Sequence, residues 1–128
     1  MVDQDGLPLR LLLTAGQTND KIMVQDLLRG LPPAKALVAD RGYDSRLVVQ
    51  YVKEQGGCAH IPTQRQVKQQ RTVDPALYRQ RNHVERFFCH LKQFRRVATR
   101  FDKTARNYQA AVLLSASRLW LRAIESTP

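Results

Sequence analysis

A chain of 128 residues that is 43% hydrophobic and 25% charged is long enough for one modest core and too apolar to be disordered. Its two cysteines, Cys58 and Cys89, form no CxxC and do not cluster with His60, His83 or His90 at zinc spacing, which argues against a disulfide framework and a structural zinc. The net charge of +10 is uneven: residues 1–63 hold seven Lys/Arg and seven Asp/Glu, whereas residues 64–128 hold fourteen against four.

A half-chain this basic points to a polyanionic partner, most simply nucleic acid. The bland alternative is charge kept for solubility, which has no need to gather in one half. With reduced thiols and no signal peptide, the chain reads as a cytoplasmic protein. Its longest apolar run, AAVLLSASRLWLRAI, is interrupted by Arg118 and Arg122 and too short to span a bilayer, so it is expected as a core helix and no membrane partner is expected.

In chain order, Leu9–Thr14 follows a Gly-Pro turn signal and is expected as a strand. The segment NDKIMVQDLLRGLPP has a cap candidate in Asn19 or Asp20 and is stopped by Gly30 and Pro32-Pro33, which predicts a helix. KALVAD is a short buried strand ending at Asp40. YDSRLVVQYVKEQGG is a helix capped by Asp44 or Ser45 and ended by Gly56-Gly57, and CAHIP is a short strand stopped by Pro62. Alternating strands and helices predict an α/β fold with a parallel sheet. TQRQVKQQRT is polar, basic and without periodicity, and is expected as a loop that is mobile until it meets its partner.

Asp74-Pro75 is a helix start signal. Beyond it Val84, Phe87, Leu91, Phe94, Ala98 and Phe101 step by three and four, giving one core-facing stripe on a continuous helix. On a wheel of about 100° per residue starting at Tyr78, that stripe centres near ~190°, while Tyr78, Arg81, Glu85, Lys92 and Arg96 fall between about 300° and 360°. Arg79, Arg86 and Arg100 occupy the remaining exposed arc. Glu85 is then a lone acid in a basic row. An Arg81–Glu85 surface pair accounts for Arg81 but not for Lys92 and Arg96. A carboxylate among cations is what metal-dependent phosphoryl transfer requires: the acid holds a hard cation, and the cations hold phosphates. Asp40, at the carboxyl end of a strand, is either a second such acid or a turn-forming cap before Gly42, and spacing alone leaves the two even.

Tyr78, Arg81, Glu85 and Lys92 match the Y-x2-R-x3-E-x6-K pattern, and in this the chain resembles the DDE-type insertion-sequence transposases. ADRGYDS resembles the strand that carries that family's second catalytic Asp, here Asp40. VDQDGLPLRLLLTAGQTND resembles the hairpin between the first and second acids, and RNHVERFFCHLKQFRRVATRFDK is similar to the Glu region of the insertion-sequence-five group. The resemblance covers nearly the whole chain. It implies an RNase H-like fold and DNA transposition, with Asp40 and Glu85 as catalytic metal ligands for two Mg2+ or Mn2+ ions. It also implies that Tyr78, Arg81 and Lys92 contact DNA, with the arginines Arg95, Arg96 and Arg100 on the basic face beside them. The family's first catalytic Asp lies on a strand before the hairpin, where this sequence has no counterpart. The chain is therefore expected as the C-terminal part of a transposase catalytic domain, inactive alone, acting with DNA ends and target and with a second copy or an upstream reading-frame product. A non-catalytic DNA-binding or inhibitory fragment is the alternative.

Overall fold

The computed structural model describes residues 1–14, 16, 18, 20–100 and 102–127 of the chain. The fold is mixed α/β and divides into two compact units, Thr14–Arg81, and Met1–Leu13 with Asn82–Pro128.

The first unit holds the sheet. Strand β1 (Ala36–Val38) pairs in parallel with β2 (Cys58–His60), in the register Ala36 with Cys58, Leu37 with Ala59 and Val38 with His60. Parallel neighbours require a crossover, and α2 (Arg46–Glu54) provides it, burying Val48 and Val52. Before β1, a 3-10 turn at Asp20–Met23 runs into α1 (Val24–Leu28), which ends where Gly30 takes a positive φ of 71°. Asn19, one of the two cap candidates, lies outside the described residues. Val24, Val48 and Ile61 form the core, with Leu28, Leu37, Ala39, Tyr43 and Ala59 packed around them. Gly57 is obligatory, because a Cβ there would run into the Ala34 carbonyl oxygen. The predicted strand–helix–strand order over residues 36–60 is what forms. The helix α3 (Pro75–Arg79) also begins as predicted, with Asp74 Oδ1 accepting from Ala76 N at 2.8 Å and Leu77 N at 3.4 Å.

Residues 9–14 form no strand. A strand needs a ladder, and this segment is held otherwise: Leu9 N and Arg10 N both donate to the Met1 carbonyl, the Met1 ammonium donates to Arg10 O, and Leu11 packs against the core of Phe87, Leu91, Val97 and Val112. Leu12 and Leu13 stay exposed. The expected hairpin is reduced to a single antiparallel bridge between Val2 and Pro8, closed around Gly6 at a φ of 83°. Asp3 Oδ1 holds that turn by accepting from Asp5 N and Leu7 N.

The second unit packs α4 (Asn82–Lys92), α5 (Arg95–Thr99) and α6 (Ala105–Glu125) around Phe87, Leu91, Val97 and Val112. The continuous helix expected from Asp74 onward is interrupted twice, at Gln80–Arg81 and at Gln93–Phe94. At the second break Phe94 is extended (φ −79°, ψ 105°), and the reset shifts the buried phase by one residue. Val97 is 4% exposed and joins Phe87 and Leu91 in the core, whereas Ala98, on the predicted stripe, is exposed. Phe101 lies outside the described residues. The predicted core helix α6 buries a single stripe, Val112, Ser115 and Ala116, while Leu113, Leu114, Leu121 and Ile124 are exposed. Its Trp120 indole N–H donates to Pro8 O at 2.8 Å, tying the start of the chain to this unit.

The shifted phase predicts that Val97→Ala lowers unfolding free energy by about 2 kcal/mol, in line with burial of a whole valine side chain. Ala98→Ser should stay within about 0.5 kcal/mol of wild type. Urea unfolding of the two variants checks this, and the reverse order would restore the uninterrupted helix.

Candidate active site

Asp40 stands at the carboxyl end of β1 and is exposed. It caps the 3-10 turn Arg41–Tyr43: Oδ1 accepts from Gly42 N at 2.8 Å, and its carbonyl accepts from Tyr43 N at 3.0 Å. A Cβ at residue 42 would lie 2.8 Å from that same oxygen, so glycine allows the carboxylate its position. The capping role left open by the sequence is therefore present. It engages one oxygen of the carboxylate.

Glu85 lies in the first turn of α4, where the helix dipole favours an acid, and is exposed. Lys92 lies in the last turn, two turns further on and on the same face of this helix. Tyr78, half-buried, lies in the last turn of α3, and Arg81 N donates to Tyr78 O at 3.1 Å in the link that follows. The single wheel that aligned Tyr78, Arg81, Glu85, Lys92 and Arg96 does not survive the two breaks. Within one helix it holds for Glu85 and Lys92. Asp40, Tyr78 and Arg81 belong to the first unit, and Glu85, Lys92, Arg95, Arg96 and Arg100 to the second.

The three arginines of the basic face differ. Arg95 is exposed at the start of α5. Arg96 donates from Nε (3.2 Å) and Nη2 (2.7 Å) to the two oxygens of Asp102, a fork-on-carboxylate pair across the link to α6. Arg100 closes α5 in a left-handed conformation (φ 49°) with its guanidinium 5.9 Å from the Tyr108 ring centroid. The hydrogen bond from Arg96 holds the Asp102 carboxyl below its ordinary value, and the same bond raises Arg96.

Sequence reading missed the arrangement around Asp44. It is not the cap of α2, where Ser45 stands without a side-chain bond. Instead Asp44 Oδ2 accepts from Gln64 N at 2.9 Å and Oδ1 from Arg71 Nη2 at 3.1 Å. These partners are 20 and 27 residues away, so no local pattern could reveal them. The loop expected to be mobile is tied at its base.

The Transposase DDE domain family matches residues 1–120, and the chain belongs to that family. It is 34% identical over 126 residues to the "Putative transposase for insertion sequence element IS6501" of Brucella ovis, covering 95% of each. To the "Putative transposase for insertion sequence element IS402" of Burkholderia cepacia it is 29% identical over 116 residues, covering 82% of this chain and 53% of that protein, about half its length. No solved structure matches the chain. DNA transposition is thus the process to which the chain belongs, DNA its partner class, and a divalent cation the family's cofactor class. Among the described residues no helix is long and apolar enough to cross a membrane.

The Asp102 carboxylate contributes stability that is present above its ordinary value of 3.8 and is lost as pH falls through the lower folded value. Asp102→Asn should therefore flatten the acid limb of the stability–pH curve relative to wild type. Urea unfolding of both proteins through the acid range checks it, and parallel curves would show that the pair is not formed.

Proposed function

We propose that the chain carries out metal-dependent cleavage and strand transfer at insertion-sequence ends, as the Asp40–Glu85 part of an RNase H-like catalytic domain. The observation that carries this reading is the Tyr78-Arg81-Glu85-Lys92 spacing in a chain matched over residues 1–120 to the Transposase DDE domain, with Asp40 at the carboxyl end of a parallel strand.

The donor chemistry fits a hard divalent cation, since both acids offer carboxylate oxygens and both are exposed. The ligands proposed for this chain are Asp40 and Glu85; among the described residues no group of three or more His, Cys, Asp and Glu is placed to hold a metal. When bound, Mg2+ or Mn2+, two ions in the complete site, supplies Lewis-acid stabilisation of charge at the scissile phosphodiester.

The chain's own residues do the rest. The Gly42 N–H fixes Asp40 Oδ1 and so orients the carboxylate. Glu85 is held on the first turn of a helix anchored by the buried Phe87 and Leu91. Lys92, two turns along the same face, holds a DNA phosphate, with Arg95 adding a second contact. Tyr78 stacks on or bonds a terminal nucleotide, and Arg81 contacts the backbone beside it. Arg96 and Arg100 contribute positive field while serving Asp102 and Tyr108.

Weak Mn2+ binding to the wild-type chain is expected by calorimetry, reduced in Asp40→Ala, in Glu85→Ala and, because its methyl group displaces the Asp40 carboxylate, in Gly42→Ala. Equal titrations from wild type and Glu85→Ala would count against a shared site and favour a partner that only binds DNA. Lys92→Ala with Arg95→Ala should weaken binding to duplexes of unrelated sequence alike, and lower the slope of log affinity against log salt by up to ~2. An unchanged slope in fluorescence anisotropy titrations would remove these two residues from the interface.

A further inference from the structure

We propose that the loop Thr63–Arg71 is a pre-formed phosphate-contacting loop that seats the DNA backbone at the sheet edge carrying Asp40. The inference rests on the reading of DNA as this chain's ligand and adds to it a second surface, in the other unit from Lys92 and Arg95.

Position comes first. β1 and β2 are parallel, so both leave the sheet at the same edge, and Ala39 N donating to His60 O extends the pairing one residue further. Asp40 follows β1 directly, and the loop follows β2 after Ile61-Pro62. Neighbouring strands lie about 4.8 Å apart, so the base of the loop and the Asp40 turn start side by side. Asp44, just beyond that turn, then binds the loop through Gln64 N and Arg71.

The loop is built rather than slack. Thr63 is 8% exposed; its hydroxyl donates to Gln70 Oε1 at 2.8 Å and accepts from Arg71 N at 3.0 Å. Arg71 bridges Asp44 and the Ile61 carbonyl, and the Gln70 amide donates to the carbonyls of Gln64 and Val67. The ends of the loop are thus held together, and the charges at its base neutralise one another.

The tip is different. Arg65, Gln66, Lys68 and Gln69 are exposed, and among the described residues no ion pair involves Arg65 or Lys68. No acid occurs in the sequence between Glu54 and Asp74. Two cations without local counter-charge, flanked by two amide side chains, present the donor set that takes phosphate oxygens. Charge retained for solubility needs no such base. A base of hydrogen bonds removes the ordering cost that a flexible basic loop incurs on binding.

The test uses the full chain and a fluorescent duplex of arbitrary sequence, titrated at several salt concentrations. Arg65→Ala with Lys68→Ala should lower the salt slope by up to ~2 and weaken binding at every sequence tried. Thr63→Val keeps both cations but removes the hydroxyl that ties the loop. It should weaken binding about threefold to tenfold at an unchanged slope. Thr63→Ser, which keeps the hydroxyl, should bind like wild type; this control separates loop order from any general loss of folding, which circular dichroism monitors. Wild-type affinity and slope in the Arg65/Lys68 variant, with binding still lost in Lys92→Ala/Arg95→Ala, would overturn the loop assignment and leave DNA binding intact. A wild-type chain that binds no duplex would overturn both.

Discussion

The parallel pairing of β1 with β2 is the constraint from which the proposed chemistry hangs. Three residues on each side are in register, and parallel strands cannot be joined by a tight turn. The chain must cross over, and the amphipathic α2 makes the crossing while covering the sheet with Val48 and Val52. The consequence is directional. Both strands end at one edge, so the acid after β1 and the basic loop after β2 emerge together, although 22 residues separate Asp40 from Pro62 in the sequence. Ile61, fully buried, anchors the exit of β2 to the core formed with Val24 and Val48.

Around that edge the sequence was legible wherever a signal was local. The run KALVAD, the Gly56-Gly57 stop and the Asp74-Pro75 start each depend on residues within a turn or two, and each element appears where it was read, although β1 is half-buried and not buried. The failures have one physical origin, which is that partners distant in sequence decided the outcome. Leu9–Thr14 carries strand-like composition but acquires no ladder, so composition alone did not make a strand. The long helix broke because burying Val97 beside Phe87, Leu91 and Val112 requires α5 to turn back on α4, and Phe94 gives up helical geometry to allow it. Of the two cap candidates for α2, Ser45 takes the N-cap position, while Asp44 is bound to Gln64 and Arg71, which follow β2 and which no local pattern reveals.

Charge shows the same contrast between chain order and folded units. Along the sequence the excess lies wholly in residues 64–128. Counted by unit, Thr14–Arg81 has eleven Lys/Arg against six Asp/Glu, and the other unit ten against five, so each carries +5. Of the sheet-bearing unit's +5, residues 65–81 supply +4, with five Lys/Arg against one Asp, and residues 14–64 supply +1. Each unit is thus net positive, and on each an exposed acid of the candidate site stands next in sequence to an exposed cation: Asp40 beside Arg41, and Glu85 beside Arg86.

Asp40 brings the two readings of a lone acid together. Capping a turn and ligating a cation are usually weighed as alternatives, because a carboxylate satisfied by its own backbone seems to have no remaining task. A carboxylate has about four lone-pair sites on two oxygens, and the Gly42 N–H takes one of them. That bond fixes the side-chain torsion of an exposed residue that would otherwise sample several rotamers. Were Asp40 to ligate a cation as proposed, the cost of ordering that side chain would already be met in folding. The glycine that follows is part of the same device, since any side chain there would crowd Oδ1. On the proposed role, the turn at Asp40–Gly42 both caps the 3-10 turn and leaves the second carboxylate oxygen of a solvent-exposed acid open to a ligand.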